Sequence, residues 1–259
     1  MMATILYHGA PNGPSLTVLA ALAETGVDAE LKPIDLAAGE RHADAVPRNP
    51  QVEMSIEGEG PVLVVDGEAM ADSVFIACYL DDVRTGTPIR PADPFTRWEM
   101  MSWCRYVIER IAPAAAFLGT RAELAPKLAA MPEDAFAALT GRIASADLRE
   151  RWENIRSGTF RDDQVADSEA KIAEGVKRVE ARLDGREWLI GDFSIADLET
   201  YAWLAGTVDR VPAAFADAPR TRTWLERVRA RPSVAQALGR ASGDPARAWA
   251  PGPEINRWG

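Results

Sequence analysis

The chain is short of cysteine, histidine and positive charge, and it has no long apolar run. Its 259 residues include two cysteines, Cys78 and Cys104, and two histidines, His8 and His42. Both cysteines fall in apolar, helix-patterned surroundings, so they read as buried inert thiols rather than as a disulfide. No metal site is assigned. No stretch approaches the roughly 20 apolar residues that a membrane helix needs. The opening Met-Met-Ala-Thr-Ile-Leu enters a strand pattern with neither a basic region nor a cleavage site, which predicts a cytoplasmic protein. Lys and Arg number 29 against 39 Asp and Glu, a formal net charge of -10. That balance argues against nucleic acid or an anionic membrane surface as the partner, although a local site can still hold a small anion.

What is present is enough apolar content, 47%, to bury a sizeable core. Thr4 to Tyr7 reads as a strand, and His8 to Pro14 as a loop rich in Gly and Pro. A helix follows from Ser15, with Leu16, Leu19, Leu22 and Ala23 at helical spacing and Gly26 as its stop. Ala29 to Ile34 is a second strand, and residues 37–46 are irregular or weakly helical. The stretch from Gly60 to Ser73 is the densest in signal. Pro61 lacks an N–H and stands at the start of the apolar run Val62 to Val65, where proline is tolerated. Asp66-Gly67 marks a hairpin. Asp72-Ser73 opens a helix running to about Val83 and offers hydrogen-bonding side chains and free N–H groups to an anion. The order is β-α-β-α-β-β-α, with a right-handed parallel crossover first and a hairpin last.

After a linker over residues 85–94 that contains Gly86, Pro88, Pro91 and Pro94, the pattern is helical. Helices are expected over 96–111, 123–130, 134–144, 163–183, 195–205, 220–230 and 233–241. The tail, 244–259, is rich in Pro and Gly and is expected to wrap the surface or fray. Ser194 and Asp197 have the spacing of a capping box, flanked by Phe193 and Leu198 as a hydrophobic staple. That motif is structural: it fixes one helix in the core.

Together the βαβ opening, the proline-started strand, Asp72-Ser73, the linker and the Ser-Ile-Ala-Asp box resemble the glutathione transferase superfamily. Leu6-Tyr7 through Ser15-Leu16, the run Arg90-Pro-Ala-Asp-Pro-Phe-Thr-Arg-Trp-Glu-Met100 and the overall length resemble its bacterial β-etherase branch, in which glutathione cleaves β-aryl ethers of lignin-derived aromatics. The resemblance implies an α/β plus all-α fold. A thioredoxin-like βαβαββα domain over 1–84 would bind glutathione, and an all-helical domain over 95–259 would form the pocket for the aromatic ether. It also implies a homodimer, or a heterodimer with a homologous subunit.

The resemblance assigns roles residue by residue. Glutathione must react as a thiolate, which a hydroxyl or amide donor at a helix N-terminus stabilises. Ser15 and Asn12 occupy that place, and Tyr7 is a more remote choice; the plain alternative for Ser15 is a helix cap. No cysteine precedes Cys78, which argues against a cysteine-based glutathionyl-removing enzyme. Gly60, Pro61 and Val62 would pair with the tripeptide backbone through a cis X–Pro bond. Asp72 would bind the γ-glutamyl ammonium and Ser73 its carboxylate, while Arg41 and His42 would meet the glycine carboxylate. Trp98, Trp103, Tyr106, Phe117 and Trp203 are the aromatics available to line the ether pocket.

One departure stands out. The family pattern keeps only a few residues between the proline of Asn49-Pro50 and Pro61, whereas here ten intervene, with Glu53, Glu57 and Glu59 among them. Three carboxylates beside a net-negative tripeptide would weaken its binding by about 1 kcal/mol each if close and poorly screened. A non-catalytic subunit of a heterodimer, and a general glutathione-conjugating transferase, therefore stand beside the β-etherase as readings.

Overall fold

A computed structural model describes residues 4–49 and 60–242. The acidic segment 51–59 and the tail from 244 lie outside the described residues.

The N-terminal part is a four-stranded mixed sheet in the order β2-β1-β3-β4. Strand β1 (Thr4–His8) runs parallel to β2 (Glu30–Pro33) and antiparallel to β3 (Val62–Val65), with Leu6 opposite Leu63 at the fully buried centre. Between β3 and β4 (Glu68–Met70) the chain turns on Asp66 and Gly67, both at positive φ, the two-residue geometry whose twist matches the strands. Helix α1 (Gly13–Thr25) closes the parallel crossover and ends on Gly26, whose φ of 66° lets its N–H reach the Leu22 carbonyl. Nearly every residue of α1 is buried, because α2 (Ser73–Asp82) flanks it on one side and two helices of the C-terminal part flank it on others. Residues 37–46 contain only one short 3-10 turn, Glu40–His42.

Two expectations fail here. The described residues contain no cis peptide bond, so Pro61 enters β3 through a trans bond. The trans isomer is favoured by about 0.5–1 kcal/mol, and the missing proline N–H falls just outside the β1–β3 ladder, which begins at Tyr7 opposite Val62. The second failure is helix over residues 112–119 and 146–156, where none was expected.

The C-terminal part is helical. Helix α3 (Pro94–Tyr106) starts at Asp93, whose side chain accepts from the Thr96 N–H. It continues through α4 (Ala112–Gly119) and α5 (Ala125–Ala129). The joints are π-helical turns at Val107–Ile111 and Thr120–Leu124, each just before a proline, Pro113 and Pro126. A proline cannot donate to the carbonyl four residues back and its ring crowds that carbonyl, so the helix widens by a turn instead of breaking. There follow α6 (Glu133–Thr140), α7 (Ala146–Arg156), α8 (Asp162–Arg182), α9 (Ile195–Leu204), α10 (Pro219–Arg229) and α11 (Pro232–Leu238). Helix α7 is mostly polar, and only Trp152 and Ile155 are buried, packed with Leu124, Leu128, Phe136 and Leu139 in a satellite core.

Helix α9 is the axis of the molecule. All ten of its residues are buried, and the Ser194–Asp197 capping box is formed. Asp197 also accepts from the Leu189 N–H at 3.0 Å and the Trp224 indole at 2.9 Å, tying the approach loop and α10 to the helix start. Both cysteines are free thiols, Cys104 buried and Cys78 half-buried. No described helix is long and apolar enough to cross a membrane.

Candidate functional site

A cleft of about 530 Å³ lies between the two parts. One wall is the end of β1 and the loop into α1, residues 8–12. A second is the chain after β2, residues 33–37. The third is the long interrupted helix, through Glu123, Leu124 and Lys127, with Arg240 and Ser242 at the rim.

The loop is built around two tight contacts. Gly9 donates its N–H to the Ser15 Oγ at 3.0 Å, and a Cβ on Gly9 would stand 2.6 Å from the Leu36 side chain, which a larger residue would have to push aside. Asn12 is the N-cap of α1 in an extended conformation, yet its side chain makes no capping bond. Its Nδ2 is buried without a partner. An unmatched buried donor costs about 1–3 kcal/mol, and at a helix N-terminus on a cleft wall it is suited to an incoming anion. Asn12 and Ser15 thus differ: Ser15 is buried with its oxygen already accepting, whereas Asn12 holds an unused donor.

The expected tripeptide-binding residues gather at the start of β3 and α2. Strand β4 reaches Met70 opposite Leu63, so the ladder on that side stops one residue short of Val62. Gly60 and Pro61 are buried beside it, and Arg41 Nε donates to the Gly60 carbonyl at 3.1 Å, bracing this entry. His42 is buried on the same 3-10 turn. Asp72 has a φ of 76°, strained for any residue but glycine, and one carboxylate oxygen accepts from the Val74 and Phe75 N–H groups. Burial pushes its acid form up, opposed by those two N–H groups.

Beneath Ser73 lies a residue that the sequence reading passed over. Glu199, on α9 and wholly buried, accepts from Ser73 Oγ at 3.0 Å, Thr17 Oγ1 at 2.8 Å and the Trp203 indole at 2.7 Å. It joins α1, α2 and α9 through one carboxyl group. Burial raises its pKa to about 7; the three donors pull the other way and the Asp72 charge adds to the rise.

None of Trp98, Trp103, Tyr106, Phe117 and Trp203 lines the cleft. Trp103 donates to Thr200 Oγ1 at 2.9 Å, Tyr106 lies under the Arg178 guanidinium, Phe117 packs edge-on against Phe160, and Trp203 is core. Their helical spacing directs Trp103 at α9, Tyr106 at α8 and Phe117 at Phe160 just before α8, and Trp98 is exposed. The cleft presents charge instead. Asp35 accepts from the Ala37 and Ala38 N–H groups and Glu123 pairs with Arg210, while no ion pair is formed by Lys127 or Arg240 among the described residues. No group of three or more metal-ligating side chains occurs among the described residues.

The Glutathione S-transferase N-terminal domain model matches residues 2–82 and the C-terminal domain model residues 130–232. Protein LigF of Sphingobium sp. strain SYK-6 is 29% identical over 240 residues, spanning 88% of this chain and 90% of that protein. The crystal structure of β-etherase LigF superposes with a TM-score of 0.83 at 27% identity, covering 93% of this chain and all of that one. Maleylacetoacetate isomerase of Rhizobium meliloti is 37% identical over 95 residues, 36% of this chain and 42% of that protein. A glutathione transferase homologue from Sulfitobacter, solved with bound glutathione, shares the fold at a TM-score of 0.64 and 19% identity over 92% of this chain and 98% of that one. The two domain models together cover more than half of the sequence: the chain belongs to the glutathione S-transferase superfamily.

Proposed function

We propose that the chain is a glutathione-dependent β-etherase. The observation that carries this reading is the unpartnered Asn12 Nδ2, held on the cleft wall at the start of α1. Glutathione lies along the open edge at Gly60, Pro61 and Val62, its γ-glutamyl end at Asp72 and Ser73 and its glycine end toward Arg41 and His42. The division is at 84, with residues 85–94 as linker and 95–259 as the second domain. The sulfur faces the loop at the mouth of the cleft, where Asn12 donates to the thiolate and Ser15 holds the loop through Gly9. The thiolate attacks the ether carbon next to a ketone, the C–S bond forms, and the C–O bond breaks with its electron pair leaving on the aryl oxygen. Lys127 and Arg240 place positive charge where that aryloxide develops. Similarity to the β-etherase LigF supports the substrate class. The working unit is a dimer that covers Phe75, Phe95 and Trp98, large apolar side chains more than half exposed in the single chain.

The test is calorimetric titration of the purified chain with glutathione, followed by incubation with a phenacyl aryl ether. Saturable binding and stoichiometric release of the phenol with formation of the thioether support the reading. Binding without cleavage, reversed only by adding a homologous subunit, makes the chain a partner subunit. Conjugation of simple electrophiles without ether cleavage makes it a general transferase.

A further inference from the structure

We propose that His8 is the proton-transfer residue of the cleft, taking the thiol proton of glutathione and returning it to the departing aryloxide. This rests on the reaction just proposed.

His8 is the last residue of β1 and lies on the cleft wall, three positions before Pro11 and four before Asn12. Its Nδ1 sits 2.8 Å from the Gly9 carbonyl. A carbonyl only accepts, so Nδ1 carries the hydrogen and Nε2 is the nitrogen with the lone pair. The same Gly9 donates to Ser15 and so locks ring, loop and helix start into one unit. The other polar side chain of this wall, the Asn12 amide, is not basic, and Ser15, which does not line the cleft, already accepts from Gly9. The charged groups that line the same cleft are Arg240, Lys127 and Glu123 on the long helix, and Asp35 after β2; Arg240 acts on the ring, while Glu123 and Asp35 are engaged elsewhere. Burial, with Arg240 adding to it, holds the imidazole below its ordinary pKa of 6.5, against the Gly9 contact, and so keeps it neutral at pH 7.

The step balances. The Nε2 lone pair takes the S–H proton, the sulfur pair forms the C–S bond as the C–O bond breaks, and the imidazolium Nε2–H passes to the aryl oxygen to give a phenol. No oxidant or reductant is involved. A cleft-held imidazolium with a depressed pKa is a better acid toward a phenolate than free histidine.

His8→Asn is the informative variant, because the shorter amide can still donate toward the Gly9 carbonyl but has no basic nitrogen. The expected loss in kcat/KM on a phenacyl aryl ether is about 10²-fold, with glutathione affinity within about threefold of wild type. The loss is expected to be largest for weakly acidic phenol leaving groups and small for a nitrophenol. The ultraviolet thiolate signal of bound glutathione at pH 7 should fall as well. A variant retaining a third or more of wild-type kcat/KM, or losing the same factor for every leaving group, overturns the proposal. If wild type binds glutathione but cleaves no ether, the β-etherase reading fails on its own and the thiolate signal alone decides for His8; if wild type binds no glutathione, both fall. Should His8→Asn not fold, the wild type decides: with only two histidines in the chain, ring-nitrogen NMR resolves His8. A neutral Nδ1–H ring at pH 7 is expected, and an imidazolium or an Nε2–H tautomer refutes the assignment.

Discussion

Two polar clusters, one at the start of α1 and one at the start of α9, are buried to a similar degree and finished very differently. Around Asp197 every donor is matched: the Leu189 and Ser194 N–H groups, the Ser194 hydroxyl and the Trp224 indole all converge on one carboxylate. Around Asn12 the matching stops, with one amide nitrogen left over and the ring of His8 bonded through one nitrogen only. Folding alone favours the first arrangement, since each unmatched group costs stability. The second persists where a ligand completes it. The difference separates structural from functional polar groups in a family where both lie within one fold.

The largest effect should come from breaking the finished cluster. Asp197→Ala leaves two backbone N–H groups and an indole buried without an acceptor. A stability loss of about 3–5 kcal/mol is expected from such a deletion, read as a lower urea midpoint at unchanged slope. A loss below about 1 kcal/mol would mean that water replaces the carboxylate and that the cluster is not what holds α9.

Glu199 sits between the two extremes, matched by three donors yet close to the ligand-facing helix start. Its folded pKa, about 7, is raised above the usual value of 4.5. The unfolded chain therefore loses this proton first as pH rises. The stabilisation it contributes is complete below about pH 4.5 and is lost as pH climbs through about 7. Asp197 acts in the same direction, with a pKa raised to about 6 by burial against its donors. Glu199→Gln should flatten the wild-type decline in chemical-denaturation stability between pH 5 and 8, and should leave the variant the more stable protein at the alkaline end. An unchanged slope would locate the pH dependence elsewhere.

The unfinished cluster should respond in activity and not in folding. Asn12→Ala removes a donor that has no partner in the free protein. Its thermal midpoint should stay level or rise slightly, while kcat/KM for ether cleavage falls by about 10²-fold, the usual cost of losing one donor to a developing anion. Ser15→Ala makes the contrast, because it strands the Gly9 N–H and should cost about 1–2 kcal/mol of stability as well. Equal behaviour of the two variants would erase the distinction between them.

How far the sequence carried the argument follows from the same physics. The strands, the Asp66-Gly67 hairpin, α1 with its Gly26 stop and the Ser194–Asp197 box were all legible, because each is written in local chemistry. Helix α7 was not, since two buried residues in a polar stretch give no apolar stripe. The π-helical turns before Pro113 and Pro126 were hidden, because proline reads as a break and here the helix widens around it. At the site, position favours Ser15 with Asn12 as its neighbour; what sets Asn12 apart is an orphaned donor, a property that exists only once the loop has folded. His8 looked like the start of a loop, and Glu199 gave one faint signal, a carboxylate two residues past a capping Asp in an otherwise apolar helix. For the aromatic residues the sequence is ambiguous: spacing that suits a pocket also suits a helix–helix contact such as the one Trp103 makes with Thr200.

The smallest expected effect tests that last point. Trp103 donates to Thr200 Oγ1 at 2.9 Å and stacks near Tyr106, with Arg182 over its ring. Trp103→Phe keeps the ring and removes the donor, so a loss of about 1 kcal/mol in folding stability is expected. Because Trp103 is absent from the cleft lining, KM for an aryl ether should not change. The informative companion is Lys127→Gln, an exposed change on the cleft wall that should leave folding unaltered yet lower kcat most for leaving groups that are poor acids. A KM that rises for Trp103→Phe while Lys127→Gln is silent would mean that the aromatic face, and not the charged cleft, receives the substrate.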